Sequence, residues 1–276
     1  MISEGGLSER LAGITDRRRI AVVQVRGAIG GATRTDDLIH TLGQARRNAR
    51  IRAVLLEIDS PGGTAIASEQ LYVAVRRLAA RKPVVAWIKG VGASGAYFLA
   101  CAATRVLAFP SALVGSIGVI SVRPVLVDAL RRAGARIQVT KTGPFKDLGA
   151  PWREPTSEDE AHERELVDAI FRRFTSAVRA ARGFDDERLA RVTTGEVWLG
   201  TRAIELGLVD ALAEDQDTAL ETAQDLASLP HHLTVRLGGR RSVLQRLGVP
   251  GAGMGPPGER WLIEMESWLG SPRLRT

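Results

Sequence analysis

From Ile20 to Phe109 short apolar runs alternate with helix-length amphipathic segments, and this alternation restricts the fold more than any other feature of the chain. IAVVQV, AVLLEI, VVAWI and RVLAF read as strands, with Thr35 to Asn48, Ala67 to Ala80 and Gly95 to Ala102 as the helices between them. The strand runs carry so few polar residues that both faces of their sheet must be covered, which is the situation created by helical crossovers between parallel strands. The expected class is α/β.

Farther on come GSIGVIS, a helix over Pro124 to Ala133, a strand RIQVT and a polar loop from Lys141 to Pro155. A long helix is expected from Thr156. That residue can cap it, Glu158, Asp159 and Glu160 suit its positive end, and Leu166, Ile170, Phe174 and Val178 recur every four residues up to a stop at Gly183. DERLARVTTG then reads as a short helix and turn, and AIELGLVD as a helix running into a strand. From Gly238 the composition shifts to Arg, Gly and Pro. GVPGAGMGPPGE reads as a linker, and RWLIEMESWLG places Trp261, Leu262, Met265, Trp268 and Leu269 on one helical face. The expected organisation is a polar segment over 1–19, a catalytic α/β domain over 20–237, and a linker with an amphipathic helix over 238–276.

At 276 residues with 45% hydrophobic residues, the chain can bury one substantial core. Its single cysteine, Cys101 in FLACAAT, has no internal disulfide partner and reads as a core residue, which fits a reducing, cytoplasmic setting. MISEGGLSERLAGITDRRR carries acids and arginines where a signal peptide would become apolar, so no leader is expected. The uncharged run Val106 to Val122 is broken by Pro110, Gly115 and Gly118 and reads as buried strands and turns, not a membrane span. The net charge of +7 comes from arginines scattered over helical faces, with no basic stretch interleaved with aromatics, which argues against nucleic acid as a partner. Of 38 basic side chains only Lys82, Lys89, Lys141 and Lys146 are lysines. An arginine keeps its proton in proteins and a desolvated lysine can lose it, so a lysine used as a base could not be exchanged for arginine.

KGVGASGAYFLA (Lys89 to Ala100) admits two incompatible readings. Gly90, Gly92 and Gly95 spell a dinucleotide fingerprint, but that motif needs an acidic residue about twenty positions on, and no Asp or Glu occurs between Glu69 and Asp128. The same small residues can instead bring Ser94 through a tight turn to free backbone N–H groups able to stabilise an oxyanion. A small-residue turn packing strand on helix, without chemistry, is the weaker alternative for the stretch. GASGA is not the GxSxG elbow of α/β-hydrolases. For a serine nucleophile the base remains to be found. His40, His162, His231 and His232 stand outside apolar segments and lack an obvious orienting acid, which favours a lysine. Lys146 lies in the Gly- and Pro-fixed loop KTGPFKDLGAP, and Lys89 stands at a strand end next to the turn; the residues alone prefer Lys146 and leave Lys89 open.

SPGGT (Ser60 to Thr64), ASGAY (Ala93 to Tyr97), GSIGVI (Gly115 to Ile120), KTGPFKDLGAPWREPTSEDE (Lys141 to Glu160) and GEVWLGTRAIELGLVD (Gly195 to Asp210) occur in an order that resembles the signal peptide peptidase A family of serine-lysine proteases. The likeness runs from about Ile20 to Leu212 and is far more specific than any one segment. It implies Ser94 as nucleophile, Lys146 as general base, Ser116 as the holder of the lysine amine, and the N–H groups of Gly63 and Gly95 as the oxyanion hole. It implies a Clp protease/crotonase-like spiral of β-β-α units, here with a C-terminal helical appendage. It further implies a ring-like homo-oligomer and hydrophobic peptide substrates such as signal peptide remnants, with no metal or cofactor. The departures are Ala96, where Gly is common, and PWREPT in place of a more serine-rich loop. Because only a neutral amine can act as base, Lys146 is expected to be buried. Two other functions fit the fold class: a crotonase-like acyl-CoA enzyme, and a non-catalytic scaffold that binds peptides or membranes. The tail helix is expected to pack against its own oligomer, with peripheral membrane contact and a mobile or substrate-mimicking tail as the alternatives.

Overall fold

The computed structural model describes residues 18–31, 33–231 and 233–238. Three long apolar runs become the centre of a parallel sheet: β1 (Arg19–Arg26), β2 (Ile51–Ser60) and β3 (Val84–Ala93). Between them lie α1 (Thr35–Arg47) and α2 (Ala65–Ala79), the latter capped by Thr64, whose hydroxyl accepts the Ala67 N–H. Pairing is what the apolar runs predict. Residues 21, 23 and 25 of β1 and 54, 56 and 58 of β2 bury into one layer with the helices, while Ile20, Val22, Ala53, Leu55, Val85 and Trp87 bury into the other.

β3 forks. Its first half, Val85 to Ile88, pairs with β4 (Arg105–Ala108), and its second half, Val91 to Ala93, pairs with β5 (Leu113–Gly115). Gly90 sits at the fork, where a Cβ would run into the Asp59 carboxylate; Asp59 also accepts the Val91 N–H at 3.2 Å. The first glycine of the apparent dinucleotide fingerprint is therefore spent on close packing against an acid, a poor surroundings for a phosphate. Directly after β3 the chain turns through Ser94 into α3 (Gly95–Ala100).

The sheet is completed by β6 (Val197–Leu199), antiparallel to β5, by β7 (Ala211–Leu212) beside β4, and by β8 (Thr234–Leu237) beside β1. Among the described residues the main strand order is β6-β5-β3-β2-β1-β8. Four further helices follow α3 before the last: α4 (Val127–Arg132), α5 (Ser157–Arg182), α6 (Asp186–Val192) and α7 (Gly200–Glu205). The last, α8 (Gln216–Leu226), closes the second face of the sheet with Ala219, Leu220 and Ala223. Gln216 at its start and Gln24 from β1 donate to the two oxygens of Glu57, so this nearly inaccessible carboxylate is satisfied by amides.

α5 begins as expected. Thr156 and Asp159 form a reciprocal capping box, and Gly183 ends the helix with φ 64°. Phe174 packs 5.1 Å from the Phe98 ring, which stacks on Tyr72 at 4.6 Å. The periodic stripe is only half covered, however: Phe174 and Val178 are buried, while Leu166 and Ile170 are exposed. The expected strand RIQVT does not form. Residues 131–140 are all exposed and α4 has no buried residue. A strand needs a neighbour for its N–H and C=O groups, and among the described residues none pairs with this segment. The linker and amphipathic helix expected over 238–276 lie outside the described residues apart from Gly238.

Candidate active site

Ser94 has φ 51° and ψ −124°, a backbone conformation that costs a non-glycine residue about 1–3 kcal/mol. Three contacts hold it there. Its N–H donates to Gly115 O at 2.8 Å, its carbonyl accepts the Phe98 N–H at 2.9 Å, and the SPGGT loop presses on it from the other side. A Cβ on Gly62, which has φ 95°, would stand 2.9 Å from Ser94 Cβ and 2.7 Å from Gly95 N, so only glycine lets the two turns touch. Ser60, fully buried, fastens this loop by donating to Gly27 O at 2.7 Å and accepting the Gly62 N–H at 3.2 Å.

The same approach brings the two expected oxyanion donors together. Gly63 N lies 3.5 Å from the place a Cβ on Gly95 would occupy, a place already filled by the Ser68 hydroxyl. Among the described residues neither the Gly63 nor the Gly95 N–H donates to a protein acceptor. Gly63 is pinned by Ile29, whose N–H donates to Gly62 O at 2.7 Å and whose carbonyl accepts the Thr64 N–H at 3.0 Å. Ile29 and Ser68 are absent from the sequence reading: each acts across space on a segment distant in the chain. Only the tightly spaced glycines of GAIGG hint at the first.

Ser116 follows Gly115 with φ 49°, so two of the three non-glycine residues with positive φ among those described are Ser94 and Ser116. The Ser116 N–H donates to Glu196 O at 2.6 Å, which ties the GSIG turn to the start of β6. Ser94, Ser116, Gly63 and Gly95 are thus gathered by the fork of β3. Ser94 is half-buried, and among the described residues its hydroxyl has no hydrogen-bond partner, histidine included.

Lys146 is placed differently from the expectation. It is exposed, on a loop anchored at the start of α5, and among the described residues its side chain makes no hydrogen bond or ion pair, with Ser94 or otherwise. The expected burial is not reached in the single chain, in which Ile120 and Val122 of the GSIGVIS segment are likewise 87% and 84% exposed. The other lysines have separate employment. Lys82 Nζ donates to Ala45 O and Asn48 O at 2.7 Å each, closing the end of α1, and Lys141 pairs with Asp147. Lys89 is half-buried at the fork. Cys101 is a core residue as expected; burial pushes its thiol up to about 12, out of reach as a nucleophile at neutral pH. Its neighbour Tyr97, wholly buried, donates to Leu208 O at 2.7 Å.

The sequence model of peptidase family S49 matches residues 76–229, more than half of the chain, and that of Clp protease matches residues 12–114. The chain belongs to peptidase family S49. A provisionally named protease of Synechocystis is 33% identical to this S49 peptidase over 245 residues, covering 84% of the chain and 87% of that protein. The chloroplast serine protease SPPA of Arabidopsis thaliana is 29% identical over 244 residues, and Protease 4 of Salmonella typhi 32% identical over 217. These cover 84% and 76% of the chain, which spans 36% and 35% of the two relatives. Two solved structures share the fold, both of the 1510-N membrane-bound stomatin-specific protease. A serine-to-alanine mutant aligns with TM-score 0.53 at 14% identity over 80% of this chain and 98% of that one. A lysine-to-alanine mutant in complex with a substrate peptide gives 0.52 at 16% identity over 86% and 99%. The S49 peptidase is therefore a serine peptidase of Clp protease-like α/β fold, and the acyl-CoA and scaffold readings give way to it. Among the described residues no helix is long and apolar enough to cross a membrane.

Proposed function

We propose that this S49 peptidase is an endopeptidase in which Ser94 attacks the scissile carbonyl and Lys146 serves as the base. The observation that carries the reading is the strained Ser94 turn lying against the unpaired amides of Gly63 and Gly95. The Lys146 amine takes the proton of Ser94 Oγ as the new C–O bond forms. The two N–H groups hold the developing oxyanion, and the lysine returns its proton to the departing amine. Water, deprotonated by the same amine, then attacks the acyl carbonyl, and the lysine passes that proton to Ser94 Oγ as the C–Oγ bond breaks and the acid is released. Ser116, on the neighbouring positive-φ turn, orients the amine.

The Lys146 side chain is exposed and uncommitted in the single chain, and we infer that a second copy of the chain covers it in a homo-oligomer. Ile120, Val122, Ile137 and Val139 are exposed, as are Leu166 and Ile170 of α5, and α4 buries nothing. Desolvation by a partner would favour the neutral amine. Hydrophobic peptides, signal peptide remnants among them, are the proposed substrates. A cytoplasmic enzyme in peripheral contact with the membrane is the proposed setting, supported by a lone buried cysteine and by the printed names of relatives.

The test is turnover of a fluorogenic Leu-rich peptide by purified protein. Ser94→Ala, Lys146→Ala and Lys146→Arg are each expected to abolish it with the fold intact, and Lys89→Ala to retain it, since guanidinium cannot act as the base. Substantial turnover by Lys146→Arg would contradict the mechanism.

A further inference from the structure

The Lys146 side chain has no partner among the described residues, yet both of its chain neighbours are fastened to the start of α5. On one side, the Phe145 ring lies 5.0 Å from the ring of His162, in the second turn of the helix. On the other, the Asp147 side chain is 8% exposed, and its Oδ1 accepts from Arg153 Nη2 at 2.9 Å and from Lys141 Nζ at 2.7 Å. Arg153 in turn grips both oxygens of Asp159, through Nη2 to Oδ1 at 3.1 Å and through Nη1 to Oδ2. Asp159 is the carboxylate of the capping box, and its Oδ2 also accepts the Thr156 N–H at 2.9 Å. A continuous chain of contacts therefore runs from the first turn of α5 through one guanidinium to the residue beside the base.

We infer that Arg153 is a positioning residue for the S49 reaction: by clasping Asp147 to Asp159 it sets the loop over residues 141–150 on α5 and presents Lys146 to Ser94. The inference rests on the reading of Lys146 as the base. Two observations separate it from ordinary surface pairing. The capping box is complete without Arg153, because Thr156 and Asp159 satisfy each other, so the helix does not require the arginine. The Arg153 Nε is buried without a partner, so the guanidinium is oriented by the two carboxylates at the expense of its own saturation. The clasp also settles where charge goes. Asp147 and Asp159 are balanced by Arg153 and Lys141, and a carboxylate left free beside the base would pair with its ammonium form. Asp147 is already taken, and Lys146 is left uncommitted. Only the planar fork of arginine reaches two carboxylates in this manner.

The experiment compares the full chain with Asp147→Asn, Arg153→Gln, Arg153→Lys, Lys146→Met and a control, Arg173→Gln, which removes a different ion pair on α5, to Glu69. kcat and KM for a fluorogenic Leu-rich peptide are measured together with thermal midpoints and oligomer mass. Displacing the base by about 1 Å predicts that Arg153→Gln and Asp147→Asn lower kcat by about 100-fold, with KM changed less than about twofold. Arg153→Lys recovers part of the loss, because one ammonium serves one carboxylate, and Arg173→Gln matches the parent. Asp147→Asn leaves the cap of α5 untouched and decides the matter if Arg153→Gln does not fold. Thermal midpoints that fall while kcat of the folded protein stays at the parent value would overturn the positioning role. Activity in Lys146→Met would instead overturn the base assignment itself, whereas an inactive Lys146→Met beside fully active Asp147→Asn and Arg153→Gln would leave the base standing and remove the clasp.

Discussion

The backbone of Ser94 is held in a conformation that a glycine would adopt freely, by hydrogen bonds to Gly115 O and from the Phe98 N–H and by the close approach of Gly62. Strain of this kind persists where the surroundings over-determine it and is characteristic of functional sites. Ser94→Gly is therefore expected to stabilise the protein, by about 1 kcal/mol from relieved strain, while abolishing turnover. Thermal denaturation read beside the peptide assay checks this, and a lower midpoint would show that the conformation is not strained. The glycines around Ser94 were visible in the sequence, but their reasons were not. Gly90 yields to Asp59, Gly62 to Ser94, and Gly95 to Ser68, all contacts between segments far apart in the chain.

The elements most legible are those written in continuous apolar runs, β1 to β4 and the first three helices, together with α5 from its cap to Gly183; the short helices α4, α6 and α7 also form where helices are expected. Those missed, β6, β8 and α8, are short or mixed, and each exists because a partner is already in place: β5 for β6, β1 for β8, and the Trp87 face of the sheet for α8. RIQVT fails for the converse reason, a strand-like sequence with nothing to pair against. At the cap of α5 the acids have a pH consequence. Asp147 is held down at about 2 by hydrogen bonds from Arg153 and Lys141, against an ordinary 3.8, and Asp159 lies well below the usual range through Arg153 and the Thr156 N–H. Carboxylates depressed in the folded state stabilise it above their ordinary value, and that contribution is lost as pH falls from about 4 toward 2 and below. Urea midpoints measured above and below this window should drop in the parent and drop less in an Asp147→Asn, Asp159→Asn double variant; equal acid sensitivity would exclude the clasp as a source. Thr156→Ala should cost about 1 kcal/mol at neutral pH.

At the scale of the whole molecule, the fork of β3 brings Ser94, the proposed nucleophile, against the Gly63 and Gly95 amides proposed as oxyanion donors, while Lys146, the proposed base, stays exposed in the single chain, which is the reason for proposing an assembly. An Ile120→Asp, Val122→Asp variant should dissociate the oligomer in sedimentation velocity and lose peptidase activity together, with the monomer still folded. A parent that sediments as a monomer and is active would remove the need for a second copy. The most direct test of the central claim is labelling with a fluorophosphonate probe followed by peptide mapping. The account predicts label on Ser94 alone in the parent and none on that residue in Lys146→Ala, whereas label on a different serine, or undiminished label on Ser94 without Lys146, would contradict it.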